Sequence, residues 1–231
     1  MRALRILLIV VVVLGGLFVI ADRVAVYFAE GEVADKLQSR EGLASAPDVS
    51  IKGFPFLTQV AAGTLDETEI DIKDYEADTG TEGGKIRIDG IDAVFRSVTF
   101  SGDYSSATAA TASGTATISY AELLDAIKDD PVDLPLGIDG KVTSLAYGGN
   151  GKYKATVEAA GLSVPVVGSV TVTDDTVKLH VDAVDKLGGQ ALDISRVKIG
   201  ALPGGVKLDK VVAAENGVEI TVKGSNVPLA G

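Results

Sequence analysis

Apolar residues recur at every second position through most of the chain after Pro47. This period turns one face of a β-strand toward a core and the other toward water. Turn-forming residues separate the alternating stretches, as at positions 148–151 and 216–217, which is typical of hairpins. The pattern predicts a mainly β (α+β) fold with antiparallel strands. The alternating residues are Val49, Ile51, Ile70, Ile72, Ile86, Ile88, Tyr153, Ala155, Val157, Ala159, Val170, Val172, Val177, Leu179, Val181, Ala183, Val218, Ile220 and Val222.

An uncharged apolar run precedes this region and extends from Ile6 to Ala21, with two arginines before it and Asp22 after it. The run is shorter than the about 20 residues of a spanning helix and slightly longer than the about 7–15 residues of a signal-peptide core. We interpret residues 1–21 as either a retained membrane anchor or a cleaved signal peptide. Both place the basic amino end inside and the rest of the chain outside. The residues that represent this membrane segment are Ile6, Val12, Leu17 and Ile20.

Residues 22–40 are predicted to form an amphipathic helix, with Asp22 as its N-cap. One interpretation is a helix that packs against the sheet, and the other is a juxtamembrane helix that lies near lipid. We favour packing, because basic residues do not dominate the polar face as they do in surface-binding helices. The predicted apolar face consists of Val24, Tyr27, Phe28, Gly31, Ala34 and Leu37.

Two further helices are predicted within the β-rich region. Ser119 caps a helix over residues 120–128, with Glu122 at the capping-box position. A second short helix covers residues 185–192. Because no domain boundary and no repeat is evident, residues 22–231 are predicted to form a single domain.

Charge and composition argue against several classes of function. The formal net charge of −11 repels the phosphates of nucleic acids, so no nucleic-acid partner is expected. The chain has no cysteine, and its one histidine, His180, falls on the polar side of a strand. A zinc cage or a thiolate nucleophile therefore has no support. The glycine clusters match no phosphate-binding fingerprint, and we expect neither a metal nor a cofactor.

Residues 51–60 read Ile-Lys-Gly-Phe-Pro-Phe-Leu-Thr-Gln-Val. The segment therefore has one phenylalanine on each side of a proline. Since proline cannot donate to a β-ladder, this segment is a bend or an edge that projects bulky apolar groups. It is either a core plug beneath a loop or a lip that inserts into lipid or lines the mouth of a cavity. The residues themselves do not favour one over the other.

This motif, after an apolar segment and a helix, resembles that of the LmeA-type phospholipid-binding proteins of actinobacterial cell envelopes. Residues 114–123 are similar to the family's central strand and its following tyrosine and short helix. Residues 202–208 and 216–224 are similar to its C-terminal hairpin. The similarity covers most of residues 22–229, and residues 101–113 depart from it because they are low in apolar content.

The resemblance implies non-catalytic binding or transfer of phospholipid in the cell envelope, on the outer side of the cytoplasmic membrane. Phosphatidylinositol is a candidate lipid, and support of lipoglycan or mannan assembly is a candidate role. The motif assigns lipid contact to Phe54, Pro55, Phe56 and Leu57. An envelope scaffold that binds a protein or glycan is the alternative, and a hydrolase with dispersed carboxylates is the least favoured.

Aliphatic inner strand faces that are poor in large aromatics can line space for an acyl chain. With the resemblance, they predict an elongated, strongly curved antiparallel sheet wrapped around a helix, as in tubular lipid-binding domains.

Overall fold

The computed structural model describes residues 2–78, 85–128, 131–134, 138–173, 176–182, 192–198 and 205–230. Strands make up 56% of the chain, which confirms the mainly β class. The helices are α1 (Arg2–Glu41), α2 (Phe56–Ala61) and α3 (Tyr120–Ile127). The strands are β1 (Asp48–Lys52), β2 (Thr64–Asp78), β3 (Lys85–Phe100), β4 (Ala107–Ile118), β5 (Val132–Leu134), β6 (Ile138–Gly149), β7 (Lys152–Ala159), β8 (Leu162–Thr173), β9 (Thr176–Val181), β10 (Leu192–Lys198), β11 (Val206–Ala214) and β12 (Gly217–Ala230).

The strands form two six-stranded antiparallel sheets. The second sheet has the order β10-β9-β8-β7-β6-β5, so each strand pairs with its neighbour in sequence. The first has the order β1-β2-β3-β4-β12-β11, so the β11–β12 hairpin joins the sheet beside β4. Neither sheet is closed or strongly curled over the described ranges. The predicted curved sheet wrapped around a helix is therefore not confirmed.

The chain clusters into two compact units. Unit 1 comprises Met1–Asp71, Val94–Ala112 and Ser225–Gly231, and unit 2 comprises Ile72–Ala93 and Ser113–Gly224. Strands β2, β3, β4 and β12 contribute residues to both units.

The core of unit 2 is built from the predicted alternating strand faces. Tyr153 and Val157 of β7 and Val181 of β9 have no exposed surface. They pack with inward residues of β6 and β8, and with residues of β3, β4, β11, β12 and α3 that belong to the same unit. The alternation thus predicted the buried face of β7 and β9 correctly. Ala183 lies outside the described residues.

Helix α3 confirms the predicted internal helix, since Ser119 Oγ accepts a hydrogen bond from the Glu122 amide at 3.3 Å. Its inner face buries Leu123 and Ile127 in the core of unit 2. The helix predicted over residues 185–192 lies outside the described residues, except for Leu192, which begins β10.

In unit 1, helix α1 runs without a break from the apolar segment into the predicted amphipathic helix. Asp22 lies within it, so the prediction that Asp22 is an N-cap is wrong. Among the described residues, α1 is the one helix whose length and composition suffice to cross a membrane, a property that signal sequences share.

After Ala21, α1 packs against β1 and α2. It contributes Val26 to a small core that also holds Ile51 of β1 and Phe56 of α2. At the free edge of the first sheet, Glu30 Oε1 accepts a hydrogen bond from the Ile51 amide at 2.8 Å. The favoured interpretation, a helix packed on the sheet, is confirmed.

The packed face of α1 differs from the predicted one. Of the predicted residues, Ala34 is buried and Leu37 is half-buried, whereas Val24, Tyr27 and Phe28 are exposed. The packed side presents small side chains and carboxylates that reach backbone amides, and hydrophobic spacing alone does not single out such a side.

Candidate functional site

The motif at residues 51–60 forms the turn from β1 into α2. Gly53 has a φ of +95°, and a Cβ there would lie 2.5 Å from Gln59 Nε2 and 2.8 Å from Asp66 Oδ2. The side-chain amide of Gln59 closes this turn. Its Oε1 accepts a hydrogen bond from the backbone amide of Asp66 at 2.8 Å, and its Nε2 donates one to the Lys52 carbonyl at 3.4 Å. The glycine and the glutamine of the motif therefore fix the path of the chain around its aromatic residues.

The two phenylalanines of the motif have opposite environments. The Phe54–Pro55 peptide is cis, and the Phe54 side chain is 58% exposed. Phe56 is 7% exposed and belongs to the core of unit 1. Pro55 and Leu57 are half-buried between these extremes. The core-plug interpretation thus describes Phe56, and the projecting interpretation describes Phe54.

Helix α2 takes its N-terminal cap from α1. Pro55 occupies the N-cap position and supplies no side-chain hydrogen bond. The Asp22 carboxylate takes this role, since its Oδ1 accepts a hydrogen bond from the Leu57 amide at 2.8 Å. A carboxylate there satisfies an amide that the short helix leaves unpaired and faces the positive end of the helix dipole.

Arg23 connects the same carboxylate to the exposed phenylalanine. Its Nη2 and Nε donate to Asp22 Oδ2 at 2.6 and 3.2 Å. Its guanidinium carbon lies 5.3 Å from the centroid of the Phe54 ring, within the range of a cation–π interaction. Asp22 has no exposed surface, whereas about half of the Arg23 side chain is exposed. The two residues that follow the apolar segment therefore hold the motif beside it.

The loop between β3 and β4 supports the other end of α2. Tyr104 Oη donates a hydrogen bond to the Val60 carbonyl at 2.8 Å. Behind Tyr104, Asp103 accepts hydrogen bonds from the hydroxyls of Ser101 and Ser105 at 2.6 and 2.8 Å. These bonds lower the pKa of Asp103 to about 2. The low apolar content of residues 101–106 thus reflects a hydroxyl-rich turn that positions α2.

Two exposed aromatic residues of α1 lie one to two turns beyond Ala21. Tyr27 is 71% exposed and Phe28 is 69% exposed. Their rings meet edge to face, with centroids 5.9 Å apart. Val24, one turn earlier, is also exposed. Val24, Tyr27 and Phe28 are called the aromatic face of α1 below.

An open cleft of ≈ 430 Å³ lies between α1 and the start of β1. The aromatic rings form part of its wall, and its charged lining residues are all acidic. A phosphate would meet only repulsion there, so this cleft is unsuited to an anionic headgroup. Its acidic lining residues are Glu30, Glu32, Asp35 and Asp48.

Unit 2 carries a different open cleft, of ≈ 460 Å³, between α3 and β6. Leu124 and Val142 give it an apolar floor, and Lys128 and Lys141 line it with positive charge. Lys128 forms an ion pair with Asp125. The cleft thus combines apolar residues with two lysines and an aspartate, and residue spacing in the sequence gave no signal for it.

His180 lies between the core residues Leu179 and Val181, on the opposite face of β9, as predicted. Over the described ranges, no group of three or more metal-ligating side chains is present. In unit 2, burial raises the pKa of Tyr120 to about 12, and its hydroxyl donates to the Ala214 carbonyl at 2.8 Å, which is a structural role.

These observations define a mainly β protein in which an apolar N-terminal helix holds a phenylalanine–proline motif at its side. The family model described as LmeA-like phospholipid-binding matches residues 20–223. The chain belongs to this family, which supports binding of lipid in general. Neither the curated proteins nor the solved structures include a match to the chain.

The site residues that the sequence interpretation missed are Asp22, Arg23 and Tyr104. Asp22 and Leu57 are 35 residues apart, and Tyr104 is 44 residues from Val60, so no local spacing links them. The one available signal was the charged pair directly after an apolar segment, which is costly near a membrane unless both charges have partners.

Proposed function

We propose that this protein binds phospholipid at the surface of the membrane that holds its apolar segment, and that it does so without catalysis. The observation that carries the proposal is the exposed ring of Phe54, held by Arg23 immediately after that segment. An isolated apolar ring of this kind gains free energy when it leaves water for lipid. Family membership supports lipid as the partner.

In this proposal the four motif residues have different roles. Phe54 contacts the lipid, while Pro55 and Leu57 shape the surface around it. Phe56 holds the segment to the core of unit 1. Arg23 keeps N–H groups beyond those that it gives to Asp22, and these are suited to a lipid phosphate.

We also propose a location and a role for the protein. We infer that residues 1–21 are retained as an anchor and that residues 22–231 lie on the outer side of the cytoplasmic membrane, in the cell envelope. The arginines at positions 2 and 5 support this orientation. Phosphatidylinositol is the candidate lipid, and lipid held there would serve lipoglycan or mannan assembly.

Site-resolved crosslinking tests the proposal. The full chain is reconstituted in vesicles that contain a phospholipid with a photoreactive group near its headgroup, and adducts are mapped by peptide mass spectrometry. We expect adducts on residues 54–57, and we expect Phe54→Ser to remove most of them. Leu162→Ser is the matched control, because Leu162 is a comparably exposed apolar residue of unit 2.

Other distributions of adducts contradict the proposal. Adducts confined to residues 6–21 would mean that the chain is only anchored, which favours the envelope scaffold. Adducts centred on residues 121–143 would move lipid binding to the α3–β6 cleft. Equal labelling with phosphatidylinositol and phosphatidylglycerol probes would remove the headgroup preference but keep the site.

A further inference from the structure

We propose that the aromatic face of α1 is embedded in the membrane interface and extends the membrane-contacting surface on one side of the helix. The occupant of this surface is the same lipid layer that holds the apolar segment. The inference rests on the proposed retention of that segment. It is independent of whether Phe54 binds an individual lipid molecule.

The aromatic face continues the lipid-facing side of the apolar segment. Because an α-helix has 3.6 residues per turn, Leu17, Ile20 and Val24 lie along one side. Tyr27 and Phe28 follow on that side at the next spacings of three and four. Helix α1 has no interruption between these positions, so the whole stripe is rigidly aligned.

Helix length gives a reason for this extension. At 1.5 Å per residue, the run from Ile6 to Ala21 is about 24 Å long, which falls short of a hydrocarbon layer of about 30 Å. On the side of the aromatic face, the apolar stripe continues to Phe28 and reaches about 34 Å. The apolar length on this side of the helix therefore matches the thickness of the hydrocarbon layer and part of its interface. The segment that is apolar around its whole circumference is too short to do so.

The two charges that directly follow the apolar run do not oppose this placement. Asp22 points to the opposite side of α1, where it is buried against the Leu57 amide. Arg23 is engaged by Asp22 and Phe54. Farther along, Glu32, one turn after Phe28, and Asp35, one turn after Gly31, end the apolar character of the stripe, and both line the acidic cleft beside the aromatic rings. The surface on this side of the helix thus becomes polar about one to two turns after Phe28.

The chemistry of the aromatic face fits the boundary between lipid and water. Tyrosine concentrates in aromatic belts, since its ring is apolar and its hydroxyl remains hydrated. Phe28 supplies the apolar partner in the edge-to-face pair. A soluble partner protein is the competing occupant, but the face is continuous with the outward side of the apolar segment, which requires lipid rather than water.

Tryptophan fluorescence tests the proposal without background, because the chain contains no tryptophan. Full-length Tyr27→Trp and Phe28→Trp are reconstituted in vesicles of phospholipids brominated at the headgroup end of the acyl chains. Leu17→Trp is the positive control. Ser39→Trp is the matched aqueous control, since it lies on the same side of α1 about 17 Å beyond Phe28. We expect strong quenching and a blue-shifted emission for positions 17, 27 and 28, and neither for position 39.

Three results would overturn the inference. Quenching at position 17 alone would place the aromatic face in water. Quenching at none of the positions would mean that the segment does not enter the bilayer. Equal quenching at positions 28 and 39 would mean that the whole helix lies along the surface. Quenching as expected, with no phospholipid adducts on residues 54–57, would preserve this inference and contradict the proposed lipid site.

Discussion

The two units of the molecule organise their apolar residues in opposite ways. Unit 2 buries them between strand faces, with Tyr153 and Val157 completely enclosed. Unit 1 has a smaller core and positions its elements with polar side chains of α1 that reach distant backbone amides. It also leaves the large rings of Tyr27, Phe28 and Phe54 exposed.

We interpret this difference as a division between a unit that supplies stability and a unit that makes contacts. Burial of aliphatic faces supplies most of the free energy of folding. An exposed cluster of large apolar side chains contributes little to folding and marks a surface that meets a partner. We therefore expect substitutions in unit 2 to affect stability without altering lipid contact, and substitutions at the surface of unit 1 to do the reverse.

The largest expected effect separates the two phenylalanines of the motif. Phe56→Ala should lower the free energy of unfolding by about 3–5 kcal/mol, because it leaves a cavity in a small core. Phe54→Ala should change it by less than about 0.5 kcal/mol, as expected for a surface substitution. Denaturant unfolding of the full chain in detergent measures both. Similar losses for the two variants would contradict the division between a core ring and a contact ring.

A glycine of unit 2 gives the next effect. A Cβ at Gly168 would overlap the His180 carbonyl oxygen and lie 2.6 Å from Tyr153 Oη. Gly168→Ala should therefore destabilise the protein by about 1–3 kcal/mol through overpacking. Gly90→Ala is the control, since no atom lies within 4 Å of the Cβ that it would add. Lipid crosslinking to residues 54–57 should survive at temperatures where Gly168→Ala remains folded. Its loss under those conditions would break the proposed separation of roles.

A smaller and more local effect is expected from Asp22. Asp22→Ala should accelerate hydrogen exchange of α2 amides, Leu57 above all, because the cap from α1 is lost. Asp22→Asn keeps an acceptor for that amide but not the charge, so its exchange should be intermediate. Asp35→Ala, an exposed position on the same helix, should match the unaltered chain. Unchanged exchange in Asp22→Ala would show that α2 does not depend on this carboxylate.

The smallest effect is a pH dependence in the loop that supports α2. The folded-state pKa of Asp103, about 2, lies below its value in an unfolded chain. Its ionised form therefore stabilises the loop above the ordinary aspartate pKa, and this contribution disappears as the pH falls through about 2. The protection of the Ser105 and Ser106 amides, relative to exchange of an unstructured chain at the same pH, should therefore decrease from the ordinary aspartate pKa down to about 2. Asp103→Asn should exchange faster at neutral pH and lose the acid dependence. Protection that does not change below the ordinary aspartate pKa would disprove the hydrogen-bonded arrangement.

The sequence predicted the parts of the fold that follow from local pattern. Alternation identified the buried faces of β7 and β9, and capping residues identified α3. It did not predict which side of α1 packs, because that choice depends on Asp22 and Glu30 finding amides 35 and 21 residues away. Hydrophobic spacing favoured the bulkier side, which remains exposed.

The sequence identified the segment that forms the candidate site but not the contacts that determine which of its residues are buried. The motif singled out residues 54–57, yet two phenylalanines separated by one proline cannot be assigned to core or surface from composition. Their environments depend on the Gly53 turn and on its closure by Gln59 and Asp66. The α3–β6 cleft gave no signal, because its residues come from separate elements that meet only in the folded unit.

Under the proposed retention of the apolar segment, the hydrogen bond from the Ile51 amide to Glu30 also affects association between copies of this protein on one membrane. Strand β1 ends a sheet, and an uncovered border of that kind invites a second chain to add its own strand. Molecules confined to two dimensions meet often, which raises this hazard. Since Glu30 of α1 occupies the Ile51 amide at that border, Glu30→Ala is expected to promote self-association through this strand.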